Sequence, residues 1–165
     1  MAIERVPLRE NPKLFDVAIG AIQQGLADRL GWLDYSFGRA ERLVKDVDGR
    51  KYYTPNVYVG KRDYELVMPD DFHLGNYSFF VMDEPQDVEA PLQEQVKITS
   101  PFSLIVWFDL RRVEKVMNLP DQRNTEMVKE QVLSVVNTAF PKKGSVTVER
   151  IYERAEDVFE GFTLD

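Results

Sequence analysis

Apolar residues recur at four-residue spacing from Leu14 through Ala18, Ile22 and Leu26 to Leu30, and Phe15 and Ile19 widen the stripe. That period predicts an amphipathic helix. Asn11 suits its cap, Pro12 its first turn, and Gly31 a left-handed residue just past its end. Its other side carries Gly20, Ala21, Gly25 and Ala27, small residues that allow a neighbouring element to come close. The neighbour is either the chain's own sheet or another subunit. The two internal glycines weaken such a helix by about 1 kcal/mol each relative to alanine.

Beyond the helix the period shortens. In "ERLVKDVDGRKYYTPNVYV" an Asp48-Gly49 pair separates two alternating runs, which predicts a hairpin with strands near 41–47 and 51–59. Pro55 lies inside the second run and implies an edge strand or a bulge there. Tyr52, Tyr53, Tyr58 and Tyr64 make this region aromatic and a candidate contact surface. Two further strands are expected over 76–82 and 96–110, joined by the acidic "DEPQDVEAPLQEQ". That joint reads as a protruding loop, residues 83–95, at the tip of a long hairpin.

The stretch "SPFSLIVWFDLRRV" poses the sharpest structural question. As a strand it turns Phe102, Leu104, Val106, Phe108 and Leu110 to one face and Ser103, Ile105, Trp107 and Asp109 to the other. Neither face is polar through its middle, so Ile105 and Trp107 need a cover, from this chain or from another. Asn124 then caps a helix whose Val128, Val132, Val135 or Val136, and Ala139 share a face, ending before Pro141 and Gly144. "GSVTVERI" reads as a short strand and "ERAEDVFEGF" as a short acidic helix. The order predicts an α+β domain spanning residues 1–165, with an antiparallel sheet, an N-terminal helix and a second helix packed on it. Residues 1–10 are expected to be a flexible arm.

Charge and chemistry narrow the function classes. The chain holds 21 Lys and Arg against 28 Asp and Glu, a net −7, with no basic run to hold a polyphosphate backbone. Tight direct binding of nucleic acid is therefore not expected. Cysteine is absent, which removes disulfides, thiolate zinc sites and cysteine nucleophiles. With neither a signal-peptide pattern nor a membrane span in the sequence, a soluble cytoplasmic protein is expected. Phosphate-cradling and nucleophile motifs are missing, and no cofactor or catalytic residue is assigned. The single histidine, His73, sits near Asp70, Asp71 and Asp83, an oxygen-rich set of the kind that holds magnesium or calcium. Its spacing matches no ligand loop, and a surface turn explains it as well. Arg111 and Arg112, at the end of the apolar run, offer a contact for a partner's acidic loop, where Glu84, Asp87 and Glu89 lie.

The leading helix "NPKLFDVAIGAIQQGLADRLGWLDY", the strand "PFSLIVWFDLRRV", the helix "NTEMVKEQVLSVVNTAF" and the ending "VTVERIYERAEDVFEGF" resemble, in their order, the tail-terminator and head–tail joining (neck) proteins of tailed bacteriophages. The resemblance implies a noncatalytic structural subunit that forms a homo-oligomeric ring, docks on a tail tube or neck protein, and passes from the host cytoplasm into the virion. An acidic lumen would suit DNA passing without sticking. The candidate interface residues are then Tyr52, Tyr53, Tyr58, Tyr64, Glu84, Asp87, Glu89, Trp107, Arg111 and Arg112. Two rival readings remain open: a metal-dependent hydrolase using Asp70, Asp71, His73 and Asp83, and a monomeric adaptor for one protein partner.

Overall fold

The computed structural model describes residues 3–68, 74–92, 95–120, 125–142 and 144–163. Its elements are α1 (Phe15–Arg29), β1 (Tyr35–Val47), β2 (Arg50–Gly60), β3 (Asp63–Leu66), β4 (Tyr77–Met82), β5 (Asp87–Leu92), β6 (Gln95–Thr99), β7 (Phe102–Trp107), α2 (Leu110–Val116), α3 (Glu126–Ala139) and α4 (Ala155–Val158). Five strands form one sheet in the order β3-β2-β1-β4-β7, and β5 pairs with β6 in a separate ribbon. The class is α+β, as the periodicity implies. The sheet is mixed rather than antiparallel, because β4 returns to the far side of β1 and runs parallel to it.

The apolar run beginning at Phe102 splits its side chains as the alternation predicts. Phe102, Leu104, Val106, Phe108 and Leu110 join a core with Ile19, Ile22, Leu26, Trp32, Phe80, Val113, Val128 and Val135, beneath α1, α2 and α3. Ile105 and Trp107 join Phe37, Val57, Val67, Leu74, Tyr77, Phe79 and Phe159 on the opposite face. The chain itself covers both faces. Phe159, just past α4, is buried with its ring 5.8 Å from Trp107 and 6.3 Å from Phe79. Trp107 thus packs within its own subunit.

Several expectations are corrected. The helix starts at Phe15, not Pro12, since Asn11 and Leu14 adopt φ of 51° and 49°; Leu14 is exposed instead of lining the stripe. The reversal is forced by what precedes it. Arg5 donates to the carbonyls of Leu30 and Leu33, its own carbonyl accepts from Ser36 N at 2.8 Å, and Pro7 O accepts from the buried Gln23 at 3.1 Å. Within the expected arm, Arg5 and Pro7 are therefore pinned to the fold rather than free. The 96–110 strand breaks at Ser100-Pro101 and stops at Trp107, because the Asp109 side chain accepts from Arg111 N at 2.9 Å and caps α2. "GSVTVERI" makes no ladder with any described strand. Pro55 sits opposite Arg42 with no bulge. Its carbonyl accepts from Val67 N at 3.1 Å where β3 has ended, so its missing donor falls where β2 has no strand neighbour.

Buried Asn76 joins three junctions. Its amide donates to Trp32 O at 3.0 Å and accepts from Asp109 N at 2.8 Å, while its backbone carbonyl accepts from Asp34 N and Tyr35 N. The small face of α1 also finds its neighbour in this chain. A Cβ on Gly25 would lie 2.8 Å from Ala139 Cβ and 3.1 Å from Val135 Cγ1, so α1 and α3 touch at that glycine.

Two measurements check this packing. Phe159→Ala should lower stability by about 3–5 kcal/mol in urea titration, the cost of emptying a buried aromatic site; a loss under ~1 kcal/mol would mean that this residue does not cover the sheet. Gly25→Ala should cost about 1–3 kcal/mol by overpacking despite its helical propensity. Combining it with Ala139→Gly should recover more than ~0.5 kcal/mol beyond additivity in a double-mutant cycle.

Candidate interaction surface

Two ribbons and one bare segment leave the double-sided core. The first ribbon is the outer half of the β1–β2 hairpin. The early part of β1 pairs with β4, whereas Ala40 to Val47 pair only with β2. Asp48 and Gly49, with φ of 53° and 79°, make the two-residue turn, and Gly49 N donates to Asp46 Oδ1 at 2.9 Å. With no layer over this half, Leu43, Val44 and Val47 are exposed, Val44 at 54%.

The four candidate tyrosines divide between its faces. Register places Tyr52, Tyr58 and Tyr64 on one side and Tyr53 on the other. Tyr58 and Tyr64 meet edge to face at 6.0 Å. Arg42 stacks over Tyr53 at 4.2 Å and Arg50 over Tyr52 at 5.3 Å. Such exposed contacts contribute about 0.5–1 kcal/mol each and hold the rings against the ribbon. Thr163 closes the open edge beside them: its N donates to Tyr53 O at 2.9 Å and its hydroxyl accepts from Tyr53 N at 3.0 Å.

The expected acidic loop is the second ribbon. Asp87 faces Thr99, Val88 faces Ile98 and Glu89 faces Lys97. Alternation gives it one apolar face, Val88, Val96 and Ile98, and one charged face, Asp87, Glu89 and Lys97. Val88 is 65% and Val96 63% exposed, and among the described residues no third strand joins the pair. Glu84, Asp87 and Glu89 are exposed as expected. Proline and acid content concealed the strand pattern here, although the alternation of Val88 with Asp87 and Glu89 is present in the sequence.

The third feature is the segment from 144 to 153, which has neither turn nor bend. It is tied at both ends. Val146 packs with the α3 side of the core, and at the far end Lys129 bridges Glu153 at 2.7 Å and Glu126 at 2.8 Å. Thr125 also donates to Glu153. These bonds, first from Lys129 and then from Thr125, hold the Glu153 carboxyl below its ordinary pKa. Hydrogen bonds from Lys129 to Glu126 and Glu153 raise the ammonium pKa in turn. Between the ties Val148, Ile151 and Tyr152 are exposed.

The remaining candidates are not brought together with these. Arg112 bridges Asp34 at 3.1 Å, and exposed Arg111 lies in the first turn of α2. Asp83 accepts from Ser103 at 3.2 Å, while Asp70, Asp71 and His73 lie outside the described residues. Among the described residues no group of three His, Asp or Glu is placed to hold a metal ion, and no helix is long and apolar enough to cross a membrane. Comparison with family models, curated proteins and solved structures gives no match.

The tie at Glu153 has a pH signature. In an NMR titration its carboxyl should ionise below the ordinary glutamate range, and Lys129→Met should return it towards that range. Because the folded pKa is depressed, the contribution to stability is present above the ordinary glutamate pKa and is lost as pH falls through the folded value. The raised Lys129 pKa acts at the other end: its contribution is present below the ordinary lysine pKa and lost as pH climbs through the folded value. A Glu153 titration unaffected by Lys129→Met would refute the tie.

Proposed function

We propose that this chain is a noncatalytic structural subunit that associates with copies of itself in a ring, in the manner of tail-terminator and head–tail joining proteins, and docks on a tube end. The observation that carries the reading is the second ribbon, whose apolar face stands in water with Val88 and Val96 more than half exposed. An isolated two-stranded ribbon is only marginally stable in water, and a further layer or strand completes it. The β1–β2 ribbon repeats the pattern with Leu43, Val44 and Val47. Exposed apolar groups rimmed by charge suit a protein interface, in which the apolar groups supply area and the charges supply register.

The phage assignment rests on the order of elements in the sequence and on the net charge of −7, which suits a ring that DNA traverses. Trp107 and Arg112 leave the proposed interface, since Phe159 and Asp34 occupy them. Tyr52, Tyr53, Tyr58, Tyr64, Glu84, Asp87, Glu89 and Arg111 stay in it.

Light scattering after size-exclusion chromatography, across a wide concentration range, should show a ring-sized species that grows with concentration and does not depend on magnesium. Val88→Asp combined with Val96→Asp should abolish it while leaving the melting temperature of the monomer within a few degrees. A monomer at every concentration, with and without added tube protein, would overturn the reading; a magnesium-dependent rise in melting temperature would favour the hydrolase.

A further inference from the structure

We infer that residues 145–153 are a strand held ready for a neighbouring copy, whose β5–β6 ribbon they join as a third strand. The inference rests on the ring reading above and adds which surface meets which. Its first support is the backbone. Among the described residues, none of the N–H and C=O groups from 145 to 153 takes part in a backbone–backbone hydrogen bond. The segment nevertheless has neither turn nor bend and carries the alternating, β-branched "SVTVERIY" that builds strands.

The second support is its mounting. Val146 on the core and Glu153 on Lys129 fix the two ends, so the middle is presented rather than loose. Fixing it in advance lowers the ordering cost of association. The third support is a complementary edge in the same chain. Among the described residues the ribbon pairs with nothing beyond itself, and residues 83–90 hold Asp83, Glu84, Asp87 and Glu89 with no basic residue. The segment offers Arg150, whose guanidinium donates to the Tyr152 hydroxyl at 3.4 Å, and Arg154 next to it, against Glu149 and the Glu153 already tied to Lys129.

Strand alternation orients the pairing. With Arg150 on the charged face opposite Glu89, Val148 and Tyr152 share that face, while Ile151 and Glu149 fall on the other, where Ile151 extends Val88, Val96 and Ile98. Donor and acceptor are different surfaces of one subunit, so the contact is heterologous and repeats by rotation into a ring. Main-chain hydrogen bonds supply the affinity, as in other cases of strand addition.

The absence of cysteine makes the test direct. Arg150→Cys and Glu89→Cys proteins are prepared separately, mixed, and treated with a short thiol-to-thiol cross-linker. The expected product is a dimer containing one chain of each kind, exceeding either homodimer. Val148→Pro and Glu149→Pro are also made singly; neighbouring N–H groups point to opposite sides, so one of the two must face the ribbon. That one should raise the concentration needed for assembly about tenfold, as expected for one lost hydrogen bond. The monomer's melting temperature should hold, since among the described residues neither N–H has a partner to lose.

Assembly that proceeds with no mixed cross-link and no proline effect would overturn the inference and leave the ring reading standing. Mixed cross-linking in dimers or open chains, with no closed ring, would support the inference and defeat the ring. A monomer that never cross-links would defeat both. Loss of binding to added tube protein in the proline variants, with assembly intact, would assign the segment to that partner and overturn the inference.

Discussion

One buried amide holds the architecture in register. Asn76 stands where the end of α1, the start of β4 and the passage from β7 to α2 converge, and its side chain satisfies one backbone group from each of the two flanking segments. Replacing it by an apolar residue would strand Trp32 O and Asp109 N without their partner, at about 1–3 kcal/mol for each buried group left unpaired. The dependence extends outward from there. Trp32, whose carbonyl Asn76 holds, sends its indole N–H to Gln131 of α3 at 2.9 Å, and Asp109 caps α2. Helices on one face are thus located by a hydrogen-bonding group at the end of one strand.

The sheet between the two cores is what gives the chain its spare surface. Its central strands are covered on both sides, by α1, α2 and α3 on one and by Phe159 and its neighbours on the other. What lies beyond the ends of those layers is little covered by the described residues. The outer half of the β1–β2 hairpin and the whole β5–β6 ribbon extend past them, carrying valines and leucine into water. The exposed apolar surface follows from a mismatch of lengths: strands of 13 and 11 residues cannot be roofed by helices and a C-terminal segment placed over their inner ends.

Much of this was legible in the order of residues, for a physical reason. The Asp48-Gly49 turn was readable because positive φ at two successive positions is demanded by few structures other than a tight hairpin. The two-faced character of 102–107 was readable because alternation with apolar residues on both sides admits only a covered strand. Asp109 as a cap was not recognised, since the apolar run continues past it to Leu110 and alternation alone cannot show where a strand hands over to a helix. The strand-like segment from 145 to 153 exposes the converse limit. Propensity predicts the conformation that a segment prefers, whereas a ladder also needs a neighbour, and the neighbour is a matter of topology. The Asn76 junctions had no local signature at all, because their partners lie 33 to 44 residues away.

The position of Phe159 along the chain bears on how the molecule is made. Phe37, Phe79 and Ile105 emerge from the ribosome well before the aromatic ring that shares their core. Until it arrives, one face of the nascent sheet is open and apolar, beside two ribbons that also have apolar surface to bury. During synthesis the chain therefore passes through a stage with more sticky surface than the finished subunit, when premature pairing between neighbours on one messenger competes with completion of the fold. Late closure by that aromatic residue separates the two events in time: the inner face is sealed by the chain itself, and the ribbons and the segment from 144 to 153 keep their exposed apolar groups.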